Sequence, residues 1–240
     1  MNEVLEVENL FKKYKNGRGV ENISFKIKEG EVLGLLGPNG SGKTTIMKSI
    51  TGLLNIGQGK VNICGYDLSE NFEKAITQLG CLIEKPVSLE YMTAYNNLKI
   101  ISRYYEGIDS SRIDEVLESV GLKKYKNEKV KNFSLGMKQR LSIGMAILHK
   151  PKLIILDEPA NGLDVEGTKE LRDIILKLSK EYMISFLISS HLIYEIELIC
   201  DQILILKEGK IIDRCTVADV IDKGEVLESY FLDKIKTKVD

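Results

Sequence analysis

Gly37-Pro38-Asn39-Gly40-Ser41-Gly42-Lys43-Thr44 stands directly after the apolar run Val32, Leu33, Leu35, Leu36 and directly before a stretch, Thr45 to Leu53, that reads as helix. Gly37, Gly40 and Gly42 let backbone N–H groups converge on an anion without side-chain obstruction, and the helix behind them adds the positive end of its dipole. Strand, glycine-rich turn and helix in this order make a phosphate-binding loop, so a nucleoside triphosphate is the expected ligand. Lys43 would set its ammonium on the β and γ phosphates, and the Thr44 hydroxyl would join the shell of a bound magnesium ion. Residues 37–45, through Thr45, are the candidate nucleotide contacts.

A second motif lies downstream. Leu153-Ile154-Ile155-Leu156-Asp157-Glu158 is a short run, apolar on both faces, that delivers two carboxylates to its end. In open α/β sheets ligands bind at the carboxyl ends of the strands. Asp157 is the candidate magnesium ligand and Glu158 the candidate for orienting or deprotonating an attacking water. A strand ending in Asp-Glu is by itself often a solvated turn; the phosphate loop upstream gives this one its meaning. Between them, Phe133-Ser134-Leu135-Gly136-Met137-Lys138-Gln139-Arg140 precedes the helical run Leu141 to Leu148, with Ser134 a natural N-cap.

The flanks indicate the architecture. Val4 to Val7, and Ile23, Phe25 and Ile27 alternating with polar neighbours, read as a half-buried antiparallel layer turned at Glu29-Gly30. Leu153 to Leu156 and Met183 to Ile188 read as strands inside a parallel sheet covered by helices. Leu171, Ile174, Ile175 and Leu178 fall at i, i+3, i+4, i+7, which predicts a helix with one buried face between Glu166 and Glu181. From about Pro86 the pattern is helical with no convincing buried strand; Ser111 and Asp114 predict a cap for a helix carrying Ile113, Val116, Leu117 and Val120, ended by Gly121. Ile203 to Leu206 and Ile211-Ile212 predict a hairpin at Glu208-Gly209, and Val226 to Ile235 a last helix. The expected fold is α/β: a P-loop NTPase core with a mostly parallel sheet, an N-terminal antiparallel β subdomain and an inserted α-helical lobe over about 86–150. Residues 1–240 form a single domain in this reading.

Composition narrows the class. With 240 residues, 43% of them apolar and 29% charged, the chain is long enough and apolar enough to bury an ordinary core. Its net charge of −1 gives no overall reason to seek nucleic acid or anionic lipid. Cys64, Cys81, Cys200 and Cys215 are scattered without a C-x-x-C pair and histidines number only two, so no zinc spacing is present and reduced thiols in the cytosol are expected. The opening MNEVLEVENL lacks the basic and apolar regions of a signal peptide, and no run approaches the roughly 18 apolar residues that span a bilayer. Any membrane role is expected to come through a partner.

The order of phosphate loop, S-L-G-M-K-Q-R, I-I-L-D-E-P, N-G-L-D and a histidine after a strand resembles the ATP-binding-cassette ATPases over nearly the whole chain. The resemblance implies ATP and Mg2+ as ligands and two cassettes facing head to tail. In that arrangement Ser134 and Gly136, with Met137, contact the γ-phosphate held by the partner copy's Lys43, while Asp164 links the two sites. It further implies that Tyr14 stacks on adenine and that His191 senses the γ-phosphate and holds the water with Glu158. Leu135 and Met137 depart from the usual L-S-G-G-Q. His149, at a helix end before Pro151, reads instead as a structural cation at a negative dipole end.

Glu84, in Gly80-Cys81-Leu82-Ile83-Glu84-Lys85-Pro86, stands where most cassettes carry the glutamine that touches magnesium and the helical lobe. With S-L-G-M-K-Q-R and the stretch from Pro159 to Gly167, it resembles the subfamily serving lantibiotic and bacitracin-type peptide export and self-immunity. Tyr91, Met92, Tyr95, Tyr104 and Tyr105 gather where the transporters of this family receive their membrane subunit; equally, they read as packing of the lobe. The resemblance thus implies an ATPase subunit, cytoplasmic and peripheral on the inner membrane face, partnered by a second cassette and a multi-spanning permease, with no nucleic acid. A soluble regulatory cassette acting on ribosomes or nucleic acid is the alternative, but such relatives typically fuse two cassettes or insert long coiled coils. A small-molecule kinase would leave the S-L-G-M segment and Asp164 without a role.

Overall fold

The computed structural model describes residues 2–84 and 88–236. Strands β1 (Glu3–Lys13) and β2 (Gly19–Lys28) pair antiparallel, and β3 (Val32–Leu36) leads into helix α1 (Lys43–Ile50). β4 (Gln58–Ile63), β5 (Tyr66–Asp67), α2 (Phe72–Ile76) and β6 (Leu79–Leu82) follow. Three helices come next: α3 (Ala94–Ser102), α4 (Ser110–Ser119) and α5 (Leu135–Ile147). The chain then alternates β7 (Leu153–Asp157), α6 (Val165–Tyr182), β8 (Ser185–Ser190), α7 (Ile193–Ile199) and β9 (Gln202–Lys207). It closes with β10 (Lys210–Thr216), α8 (Val217–Asp222) and α9 (Leu227–Lys236).

These strands form a four-stranded antiparallel sheet, β2-β1-β4-β5, and a six-stranded sheet, β10-β9-β3-β8-β7-β6. In the larger sheet β9, β3, β8, β7 and β6 run parallel and only β10 turns back. Its central strands are apolar on both faces because they serve two cores. Val32, Ile154, Leu156, Phe186, Ile188, Ile203 and Ile205 join one, with the helices α3 to α7. Leu33, Leu35, Leu153, Ile155, Leu187, Leu204 and Leu206 face the other, with α1 and the antiparallel sheet. Alternation between cores is the period-2 geometry of a strand expressed with apolar residues on both sides.

Several boundaries depart from the sequence reading, each for a local reason. β8 begins at Ser185 rather than Met183, because Met183 takes a left-handed conformation (φ 53°) that terminates α6. The cap of α4 is Asp109, whose carboxylate accepts the Arg112 N–H at 3.0 Å, so the helix starts ahead of the Ser111 expected to open it. Gly121 (φ 68°) does end that helix, its N–H reaching the Glu118 carbonyl at 3.0 Å. α1 starts at Lys43 and stops at Ile50, ahead of Leu53. β1 runs on to Lys13, past the expected Val7, through register shifts. The Glu208-Gly209 hairpin takes φ 50° and 80°, as a two-residue turn between right-twisted strands requires. Pro86, the expected start of the helical lobe, and Lys85 lie outside the described residues; from 88 to 130 the chain forms helices and a single isolated bridge, Thr93 to Lys129.

Candidate nucleotide site

Parallel pairing brings three strand ends to one edge of the large sheet. β3 runs into the glycine loop, β7 ends in Asp157, and β8, between them, ends in Ser189-Ser190. β6 lies beside β7 with Leu82 opposite Leu156, so Glu84 leaves the sheet on the same side. A cleft of about 1020 Å3 opens over this edge, lined among others by Tyr14, residues 39–45, Glu84, Asp157 and Glu158.

The loop is built for close approach of an anion. A Cβ on Gly37 would lie 2.5 Å from both the Leu206 carbonyl oxygen and Ser41 Oγ, and one on Gly42 (φ 111°) would meet Val20 at 2.5 Å. Gly40 is also left-handed (φ 82°). The Ser41 hydroxyl is buried without a partner, and the 7% exposed Lys43 donates from Nζ to the Gly37 carbonyl at 2.7 Å. Lys43 is thus folded back over the cradle that its loop encloses. Tyr14 follows β1 and places its hydroxyl 3.4 Å from Thr45 Oγ1 at the cleft rim, with the ring partly exposed.

Two linked sets of side chains carry the chemistry. Thr44 Oγ1 donates to Asp157 Oδ2 at 2.9 Å, and Ser189 Oγ donates to Asp157 Oδ1 at 2.5 Å. Glu158 adopts φ 50°, a left-handed conformation that costs a non-glycine residue about 1–3 kcal/mol. Its N–H is held by Ser189 Oγ at 2.9 Å, which fixes the carboxylate over the cleft. One carboxylate oxygen lies 3.8 Å from Lys43 Nζ; the other accepts from the His191 N–H at 3.2 Å and meets His191 Nδ1 at 2.6 Å. A carboxylate, a loop lysine and an imidazole therefore converge where a terminal phosphate on Lys43 would lie.

Other candidates sit apart. Ser134 caps α5, its Oγ accepting the Met137 N–H at 3.2 Å, and Asp164 caps α6 through the Gly167 N–H at 2.8 Å. Gly136 packs against Gly167 and Leu163, which brings the two caps together on one surface. Ser134, Gly136, Met137 and Asp164 do not line this chain's own cleft, whereas their neighbours Leu135, Lys138 and Gln139 do. Glu84 lines the same cleft as Thr44 and Asp157; it is largely exposed and paired with Lys48 Nζ at 2.5 Å, and that lysine holds its carboxyl below the usual range. The charged role read for His149 is overturned. Its ring stacks on Tyr105 (centroids 4.4 Å apart, 5° between planes), Nε2 lies 3.1 Å from the Leu79 carbonyl, and burial pushes its pKa down, favouring the neutral ring.

Sequence reasoning missed Ser189 and Lys48. Ser189 was legible only as half of a polar pair ending an apolar strand, although its hydroxyl holds both Asp157 and Glu158. The signal for Lys48 is its spacing from Thr44, four residues on along α1 and so on the same face.

A family model described as ABC transporter matches residues 20–161, spanning the glycine loop, the capped α5 and the Asp157-Glu158 strand end. The chain belongs to the ABC transporter family. It is 44% identical over 232 residues to an uncharacterised ABC transporter ATP-binding protein, YhcH, of Bacillus subtilis (strain 168), covering 96% of this chain and 75% of that protein. It is 40% identical to the bacitracin transport ATP-binding protein BcrA of Enterococcus faecalis (92% and 71% covered). It is also 40% identical to the lantibiotic transport ATP-binding protein SrtF of Streptococcus pyogenes (97% of each). A solved ATP-binding subunit of an ABC transporter superposes with a TM-score of 0.85 at 30% identity, covering 97% of this chain and all of that one. This ABC cassette is an ATPase. Among the described residues no helix is long and apolar enough to cross a membrane.

Proposed function

We propose that this cassette works as a pair, two copies closing on ATP and Mg2+ and reopening after hydrolysis, to drive a membrane permease that exports a lantibiotic- or bacitracin-like peptide. The chain acts as one nucleotide-binding domain, with the α3–α5 lobe as the part that meets the permease, on the inner face of the membrane. The observation that carries the catalytic part is the Lys43–Glu158–His191 convergence beside the Thr44–Asp157 pair. The relatives named for bacitracin and lantibiotic transport support the substrate class. A metal fits at Thr44 and Asp157: two hard oxygens already adjoin there, and magnesium favours few protein ligands with phosphates and water completing its shell. Bound there it would neutralise charge on the β and γ phosphates.

The chain's own residues do the rest. The glycine loop N–H groups and Lys43 bind the triphosphate, Tyr14 borders the base, and Glu158 orients and deprotonates the attacking water. His191, fixed on the same carboxylate, holds that base in place and faces the terminal phosphate. Ser134 and the amide at Gly136 lie outside their own cleft and serve the partner's γ-phosphate, so closure depends on a phosphate that hydrolysis removes. Deleting the gene in the cell that carries it is expected to sensitise that cell to peptide antibiotics of this class. Wild-type protein restores resistance, while Lys43→Ala and Glu158→Gln do not. Resistance unchanged by the deletion, or restored by both variants, contradicts this function.

A further inference from the structure

The pairing of Glu84 with Lys48 places a carboxylate and its counter-charge in a definite position relative to the phosphate site. Lys48 lies four residues after Thr44 on α1, one turn further along the same helix face. Thr44 engages Asp157 at the end of β7; Lys48 engages Glu84 just beyond the end of β6, the neighbouring parallel strand. Two residues on one helix face thus address two carboxylates leaving adjacent strands. Glu84 holds a left-handed conformation (φ 71°), which turns its backbone away from the strand direction, and it is among the residues that line the cleft. The ammonium of Lys48 is stabilised first by its hydrogen bond to Glu84, then by the charge of that carboxylate and, further off, by the charge of Asp157. It therefore stands within electrostatic reach of the Thr44–Asp157 pair.

The geometry points to Lys48 as the counter-ion of the metal–nucleotide site: it holds the Glu84 carboxylate one helical turn from Thr44 and cancels its charge. A Glu84–Lys48 pair is neutral, as a lone amide at position 84 would be; an unpaired Glu84 adds a negative charge near the metal position, and an unpaired Lys48 a positive one. The two single neutralisations must therefore act in opposite directions on a cation bound at Thr44 and Asp157, which no loss of folding would do. The pair is solvent-accessible, with side-chain exposures of 32% for Lys48 and 67% for Glu84, so screening keeps each effect modest.

This inference rests on the metal reading proposed above, and the test separates the two. Binding of a fluorescent ATP analogue is followed while Mg2+ is titrated, with wild type, Glu84→Gln, Lys48→Met and the double variant. Melting temperatures without nucleotide serve as the folding control and stay close to wild type. Glu84→Gln is expected to raise the half-saturating Mg2+ concentration about two- to fivefold, and Lys48→Met to lower it by a similar factor, the scale of an exposed ion pair. The double variant returns to near the wild-type value. Single variants that shift in the same direction, or not at all, while wild type still responds to Mg2+, overturn the counter-ion role alone. Wild-type binding indifferent to Mg2+ overturns both this role and the metal assignment.

Discussion

At the scale of single residues, the two histidines show how environment divides one side chain type into two roles. His191 is half-exposed and bound to the Glu158 carboxylate at the cleft; His149 is stacked on Tyr105 and partly buried against β6. Burial favours the neutral His149 ring, so its folded pKa lies below the unfolded value of about 6.5. The unfolded chain then binds more protons in that range, and stability contributed by this site is complete above about pH 6.5 and lost as pH falls through the folded pKa. Replacing His149 with Gln is therefore expected to flatten the fall in melting temperature between pH 7.5 and pH 5.5. An unchanged acid slope in the variant would show that the His149 ring takes up its proton alike in the folded and unfolded chain, and a steeper one that the fold holds it charged. This residue was misread from sequence because a helix-end position looks the same whether or not a tyrosine later closes over the ring. Lys43, Asp157 and Glu158 were legible because their chemistry is written in contiguous motifs. Ser189 and Lys48 were not, because their partners lie 32 and 36 residues away and only sheet pairing and helix phase bring them together.

At the scale of elements, the site depends on how closely helices approach the sheet edge. Gly80 in β6 lies under α5: a Cβ there would stand 2.3 Å from the Ala146 carbonyl oxygen, a contact with backbone that cannot rotate away. Gly80→Ala is expected to destabilise by about 1–3 kcal/mol through displacement of α5 from β6. A urea titration reads this as a lower midpoint with an unchanged slope. A midpoint equal to wild type would mean that α5 shifts without resistance, and that the sheet does not fix its position. Elements of this kind were readable where hydrophobic period and turn residues agreed, as in α6 and the Glu208-Gly209 hairpin. The short β4, β5 and α2 were not anticipated. β5 has only two residues, too few for a period to appear, and β4 opens with the polar Gln58-Gly59-Lys60. β4 pairs with β1 and β5 with β4, and this pairing supplies what the sequence of the two strands lacks.

At the scale of the whole molecule, the cleft proposed to hold nucleotide and the Ser134–Asp164 surface are separate features of one chain, and their connection is the proposed pair of cassettes. Both caps already satisfy helix termini, so a test by alanine would mix lost capping with lost phosphate contact. Ser134→Asp avoids this. Aspartate caps a helix about as well as serine, so α5 is expected to keep its stability within about 0.5 kcal/mol. Its charge, however, repels a γ-phosphate presented by a second copy. In a Glu158→Gln background, where hydrolysis is blocked, ATP and Mg2+ are expected to convert the Ser134-containing protein from monomer to dimer in light scattering. The Ser134→Asp protein binds ATP in its own cleft with unchanged affinity and stays monomeric. Because Ser134 does not line that cleft, retained binding with lost dimerisation is a combination that neither misfolding nor a defect in the phosphate loop produces. A dimer formed equally well by both proteins would place the second γ-phosphate contact elsewhere and leave Ser134 as a helix cap alone.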